Sequence, residues 1–178
     1  MTEPSVYDMT YCALDFETTG LNPHWAEVVE VGAVRFNLLD DCRTTFTQLV
    51  RPKGKIPKAA TEVHGITNEM VENMPSIDQV MPTLEAFIGN AVVVAHNAKH
   101  DLRFVGEDVR KNKAVDTLRL SRNNIAASSH RLSSLVKSPT YHRALPDALS
   151  CMELFKKCIR ILERKRDRTL IYLWEITE

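Results

Sequence analysis

The sequence predicts an α/β fold with a mixed sheet flanked by helices, and three observations carry that prediction. Three β-type segments follow one another between residues 11 and 50. A helix-spaced segment then leads into a short, unbroken apolar run, Ala91-Val92-Val93-Val94-Ala95, of the kind that is buried on both faces of a sheet. Beyond it the pattern turns helical and ends in a long apolar stripe. A strand meander, then a helix, a buried strand and more helices, packs as a sheet covered by helices.

Taken in order, residues 11–16 read as a first strand. Residues 28–37 (VVEVGAVRFN) start β-branched and pass into alternation, a second strand, and residues 44–50 alternate as a third. Pro, Lys and Gly between residues 51 and 57 break regular structure. Val80, Met81, Leu84, Phe87 and Ile88 recur at helical spacing, and Gly89-Asn90 ends that helix. Leu102, Val105 and Val109 predict a helix over 101–109; a further helix starts over 116–121 and a short one covers 132–136. In the last helix Pro146 suits the first turn, while Ala148, Leu149, Met152, Phe155, Ile159 and Leu162 form one stripe.

The chain has 178 residues, 44% apolar and 26% charged, and is expected to form one domain over residues 1–178. The opening MTEPSVYDMT has no basic segment and is a poor secretory signal, and the apolar runs are too short to cross a bilayer. Four cysteines without C-x-x-C spacing read as reduced, buried thiols, so a cytoplasmic location and no membrane partner are expected. The net charge of zero hides an asymmetry. Residues 1–98 carry 6 Lys/Arg against 13 Asp/Glu, whereas residues 99–143 carry 10 against 4. Solvated faces of opposite sign explain this as well as a cation-holding region beside a surface for a polyanion.

Three polar clusters are candidate sites. In ALDFETTGL (residues 13–21), Asp15 and Glu17 share one face at the end of a strand, where two like charges repel. An ordinary strand-end acid pair is the plainer reading. AHNAKHD (95–101) follows the buried strand and opens a helix, a common position for functional loops, although Asn97 or Asp101 could simply cap that helix. In HRALPDA (142–148), Pro146 puts Asp147 in the first helical turn, where the helix dipole favours its ionised form. A structural N-terminal acid and a solvated His142 would account for that segment alone.

Together these residues resemble the DEDD superfamily of 3′→5′ exonucleases, in the branch with a histidine in its last motif. That branch includes the proofreading epsilon subunit of bacterial DNA polymerase III, ribonuclease T and oligoribonuclease. Asp15 and Glu17 match the first motif, Asp101 the second, and His142 with Asp147 the third. The segment 46–70, with its His64-Gly65-Ile66-Thr67 turn, and the segment 115–122 are similar as well, so the likeness spans roughly residues 10–163. It leaves 164–178 as a tail of unassigned role. Three departures stand out. His100 occupies a place where relatives carry an apolar aromatic, and the link from Val136 to His142 is short. Residues 169–176 (TLIYLWEI) are apolar after the basic run Arg164-Lys165-Arg166, and extra packing on the core is expected there ahead of a dimer or polymerase contact.

The resemblance implies a ribonuclease H-like, mixed five-stranded sheet and hydrolysis of single-stranded 3′ ends, DNA favoured, to nucleoside 5′-monophosphates. The alternatives are an exoribonuclease of the same family or a catalytically weak domain of the same fold that binds a 3′ end or a protein. It implies two divalent cations, Mg²⁺ or Mn²⁺, held by Asp15, Glu17, Asp101 and Asp147, since four carboxylates in one cleft require counter-charge and hard ions prefer oxygen ligands. His142 would take the proton from the attacking water. Thr18, His64, Gly65 and Asn97 are the substrate-side candidates, with a turn-stabilising role equally open for His64 and a bracing role for His96 and Asn97. The implied partners are single-stranded nucleic-acid 3′ ends and, through the proofreading members, a DNA polymerase subunit.

Overall fold

The computed structural model describes residues 4–22, 24–138, 140, 142–166, 171–172 and 174–177. In chain order the elements are β1 (Tyr11–Thr18), β2 (Val28–Phe36), β3 (Arg43–Leu49), α1 (Lys58–His64), α2 (Asn68–Val71), α3 (Ile77–Ile88), β4 (Val92–Ala95), α4 (Ala98–Asp101), α5 (Glu107–Arg110), β5 (Ala114–Asp116), α6 (Thr117–Asn124), α7 (Leu132–Leu135), α8 (Ala144–Arg166) and α9 (Trp174–Thr177). A single turn of 3-10 helix, Val6–Asp8, precedes them.

The five strands form one mixed sheet in the order β3-β2-β1-β4-β5. The first three pair antiparallel, and β4 and β5 add in parallel to β1. The period of two along β1 divides the core. Tyr11 and Ala13 face α8 with Val34, Phe36, Met152 and Phe155. Cys12, Leu14 and Phe16 face α3 with Val31, Ala33, Leu84 and Ile88. By the same alternation Asp15 and Glu17 point toward α8, while Phe16 lies under the sheet, 5.5 Å from the Phe104 ring.

Gly32 fixes how closely α8 approaches. It pairs with Asp15 across β1 and β2, and a Cβ there would sit 2.1 Å from the Ala144 carbonyl carbon. Only glycine lets the start of α8 lie directly on the sheet at that point.

Two sequence expectations change, and one strand has no local signal. The helix over 101–109 is interrupted, because Gly106 is extended and its N–H donates to Glu85 Oε1 at 2.9 Å, ending one turn and starting α5. The strand β5 is too short, at three residues, to announce itself by periodicity. Cys42 is exposed beside the β2–β3 turn, although Cys12, Cys151 and Cys158 are buried; all four are free thiols. Of the apolar tail at 169–176, Thr169, Leu170 and Leu173 lie outside the described residues. Ile171 and Ile176 are buried in the cluster around α8, and Val6 N–H donates to the Ile171 carbonyl at 2.9 Å. Among the described residues no helix is long and apolar enough to cross a membrane.

Candidate active site

Two local events bring the acids together. On β1 the i, i+2 spacing sets Asp15 and Glu17 on the α8 face, and the pairing with β2 slips in register between Glu17 and Thr18, where the ladder ends. On α8, close seating over Gly32 projects Asp147 back toward the strand. One carboxylate oxygen from each of Asp15, Glu17 and Asp147 lies within 4.8 Å of the others.

Asp101 arrives from α4 after β4. It is buried and stands outside this trio, yet close enough to repel Asp15. Its neighbour His100 fills the aromatic place by packing edge-on to Phe104, with ring centroids 5.6 Å apart, and holds Nδ1 3.9 Å from Asp101 Oδ1.

Burial is the main cause that raises the pKa of all four acids. It carries Asp15 well above the carboxylate range, helped by Asp101, Glu17 and Asp147. Glu17 is pushed up to about 8 by burial and then by Asp147 and Glu30, against the pull of Arg143. For Asp147 the backbone N–H of His142 opposes the rise, and for Asp101 His100 does. A site whose acids resist ionisation together is short of positive charge, and hard oxygen donors at this density suit a divalent cation.

His142 is exposed and has a left-handed backbone, φ 58°. Its N–H donates to Asp147 Oδ2 at 2.9 Å, which ties the backbone of His142 to the acid five positions on. With Asp15 and Asp147 it lines a cavity of about 480 Å³. The other walls include Arg122, which ends the segment 115–122 that resembles the family, and His130 and Arg131, which the sequence did not single out.

The substrate-side candidates divide. Thr18 ends β1 and its hydroxyl donates to the Gly20 carbonyl at 2.8 Å. His64 ends α1 and does what a turn-stabilising residue does, accepting the Ile66 N–H on Nδ1 at 3.0 Å. Its Nε2 is buried and has no hydrogen-bond partner among the described residues, although the Thr18 backbone beside the ring counters part of the lowering that burial imposes on its pKa. Gly65 closes α1 with φ 74°, a conformation that glycine adopts without a Cβ penalty. Asn97 is exposed and left-handed, its N–H bound to Asp116 Oδ1 at 3.0 Å, and it does not line the acid cavity. His96 bridges Thr117 Oγ1 at 3.0 Å and the His130 carbonyl at 2.9 Å, which ties the loop of the second motif to the far wall of the cavity.

Sequence reasoning missed Glu30 and Arg143. Glu30 is 3% exposed on β2, opposite Glu17, and the Arg143 guanidinium grips it with Nη2 at 2.6 Å from Oε1 and Nε at 2.9 Å from Oε2. The Ala144 N–H adds a third bond at 3.0 Å, so Glu30 caps the positive end of α8. The signal was present in VVEVGAV, where one acid stands in an otherwise apolar strand and demands a buried partner.

A model of an exonuclease family, RNase_T, matches residues 12–155. A PolC-type DNA polymerase III of Thermotoga petrophila is 33% identical over 177 residues, covering 91% of this chain and 13% of that protein. A DNA polymerase III subunit epsilon-like protein of Rhodobacter capsulatus is 34% identical, covering 93% of this chain and 26% of its own length. The chain thus spans only 13% and 26% of the length of these relatives. Among solved structures, exonuclease X bound to 5′-overhanging duplex DNA superposes with a TM-score of 0.73 at 27% identity, covering 94% of this chain and 99% of the other. Exonuclease I of E. coli, bound to a dT13 oligonucleotide, shares the fold with a TM-score of 0.75 at 15% identity, over 89% and 43% of the two chains.

Proposed function

As the chain belongs to the RNase_T exonuclease family, of the DEDDh, 3′→5′ type, we propose that it removes nucleotides from the 3′ ends of single-stranded nucleic acid, DNA in preference to RNA, as 5′-monophosphates. The observation that carries this reading is the trio Asp15, Glu17 and Asp147, whose oxygens gather within 4.8 Å on one face of the sheet. The DNA preference is supported by exonuclease X, whose solved structure contains duplex DNA.

Asp15, Glu17 and Asp147 would hold divalent ions, Mg²⁺ or Mn²⁺, with Asp101 as the fourth acid. In a two-metal site such ions supply an activated water and stabilise the leaving 3′ oxygen. Ion binding would keep the four acids ionised, because the charge that burial and repulsion now disfavour would be compensated. His142 serves as general base: a ring nitrogen takes the proton from the attacking water, and the carboxylates around the cavity stabilise the resulting cation. The orphaned Nε2 of His64, beside the Thr18 backbone, offers a buried polar contact for the terminal nucleotide.

Residues 10–163 form the exonuclease core in this reading, with the tail completing its packing. Action beside a DNA polymerase in the cytoplasm accords with the PolC-type and epsilon-like relatives. The test is digestion of 5′-labelled single-stranded DNA, RNA and a dinucleotide with Mg²⁺, Mn²⁺ or EDTA. Metal-dependent ladders from the 3′ end, fastest on DNA, are expected. Ladders on RNA alone would replace the DNA preference, and intact strands throughout would refute hydrolysis.

A further inference from the structure

A second cavity of about 560 Å³ lies on the other side of α4 and α6 from the acids. On α4 and the turn after it, Lys99, Leu102 and Arg103 line this cleft, whereas Asp101 is buried and close to Asp15. On α6, Leu118 and Arg122 line the catalytic cavity, whereas Arg119 and Leu120 line the cleft. The two cavities therefore share α6 as a wall, with an arginine on each side of it.

The cleft has the chemistry of a nucleotide site. Lys99, Arg103, Arg110 and Arg119 supply four positive charges, and none of them pairs with a carboxylate among the described residues. Arg103 Nε donates to the His100 carbonyl at 3.0 Å and its guanidinium lies over the Phe104 ring, yet its Nη2 is buried with no hydrogen-bond partner among the described residues. Arg110 is held beside it, Nε donating to the Val105 carbonyl at 2.8 Å. Backbone carbonyls thus hold two arginines on the wall of the cleft, and the forked donors of a guanidinium suit a phosphate. One acid, Asp116, also lines the cleft, but its Oδ1 already accepts the N–H groups of Asn97 and Leu118. Leu102, half-buried, and the small uncovered part of Leu120 give the cleft an apolar floor.

We propose that this cleft holds one nucleotide of the substrate strand away from the end being hydrolysed, its phosphate on the arginines and its base on the leucine floor. A strand that leaves the catalytic cavity past Arg122 and crosses α6 meets Arg119 and then Lys99, so the basic side chains form a continuous track. The inference deepens the exonuclease reading and rests on it for the identity of the ligand.

The test is the double variant Lys99→Glu/Arg119→Glu, both exposed positions, beside the charge-preserving Lys99→Arg/Arg119→Lys. Binding of a fluorescent single strand of about ten nucleotides is measured in EDTA across a salt series, and hydrolysis of that strand and of a dinucleotide is measured with Mg²⁺. The charge-reversed protein should bind the strand on the order of tenfold more weakly, with a log–log salt slope smaller by roughly 0.7, the share of one lost phosphate contact. Its KM for the long strand should rise by a similar factor while the dinucleotide is cut as before. The conservative variant should behave as wild type. Unchanged strand binding and salt slope would overturn the proposal. So would loss of free mononucleotide binding in EDTA with an unchanged KM on the long strand, which would make the cleft a site for free nucleotides. If strand binding weakens as expected but wild-type protein cuts neither substrate, the cleft stands and the catalytic reading falls.

Discussion

Arg143 and Glu30 meet in a two-pronged ion pair across 113 residues of chain, at 2.6 and 2.9 Å, beneath the first turn of α8. The pair joins the start of that helix to the strand beside β1, and so sets where Asp147 stands relative to Asp15 and Glu17. Both are positioning residues. Arg143→Ala leaves the Glu30 carboxylate buried with the Ala144 N–H alone. Unfolding in urea should show a loss of about 3 kcal/mol, the low end for a buried pair because the guanidinium keeps contact with water. Glu30→Gln, which can still accept the Ala144 N–H, should lose less.

Gly32→Ala should be among the most damaging single changes. The added methyl would lie 2.1 Å from the Ala144 carbonyl carbon, so α8 must lift from the sheet and carry Asp147 with it. Chemical denaturation should report a loss of about 3 kcal/mol, as for overpacked cores, and metal-dependent hydrolysis should fall more steeply than stability.

The pKa shifts in the acid cluster have a thermodynamic consequence. Glu17 rises from 4.5 to about 8, and the other three acids also rise. A raised acid stabilises the fold while it is protonated, and that contribution disappears as pH climbs through the folded pKa. The metal-free protein should therefore lose thermal stability between about pH 4.5 and 8. Mg²⁺ should restore it, most strongly at the alkaline end, where the acids are ionised. Glu17→Gln should flatten the slope. Thermal melts with EDTA or Mg²⁺ across that range give the answer.

His142→Ala should separate chemistry from ion binding. Loss of the general base should lower kcat by about 10² to 10⁴. Mn²⁺ affinity measured by calorimetry should change little, because the backbone N–H that reaches Asp147 remains.

The parts of this site written in local spacing were legible. The alternation along β1 put Asp15 and Glu17 on one face with Phe16 on the other, and the stripe from Ala148 to Leu162 gave the long helix. What local pattern does not encode was hidden. Asp101 was assigned to a longer helix because the apolar spacing of Leu102, Val105 and Val109 survives the break, which depends on a distant carboxylate, Glu85, capturing Gly106. Glu30 looked like one acid among many in an acidic half, since its partner is 113 residues away. The cleft behind α4 could be foreseen only as an excess of Lys and Arg, without a place.

The most direct test of the central claim is hydrolysis of 5′-labelled single-stranded DNA by purified Asp15→Ala protein in Mg²⁺, beside wild type. Wild type should give a 3′-end ladder and the variant almost none, with the variant's folding verified by its thermal melt. Substantial Mg²⁺-dependent laddering by the variant would contradict that claim.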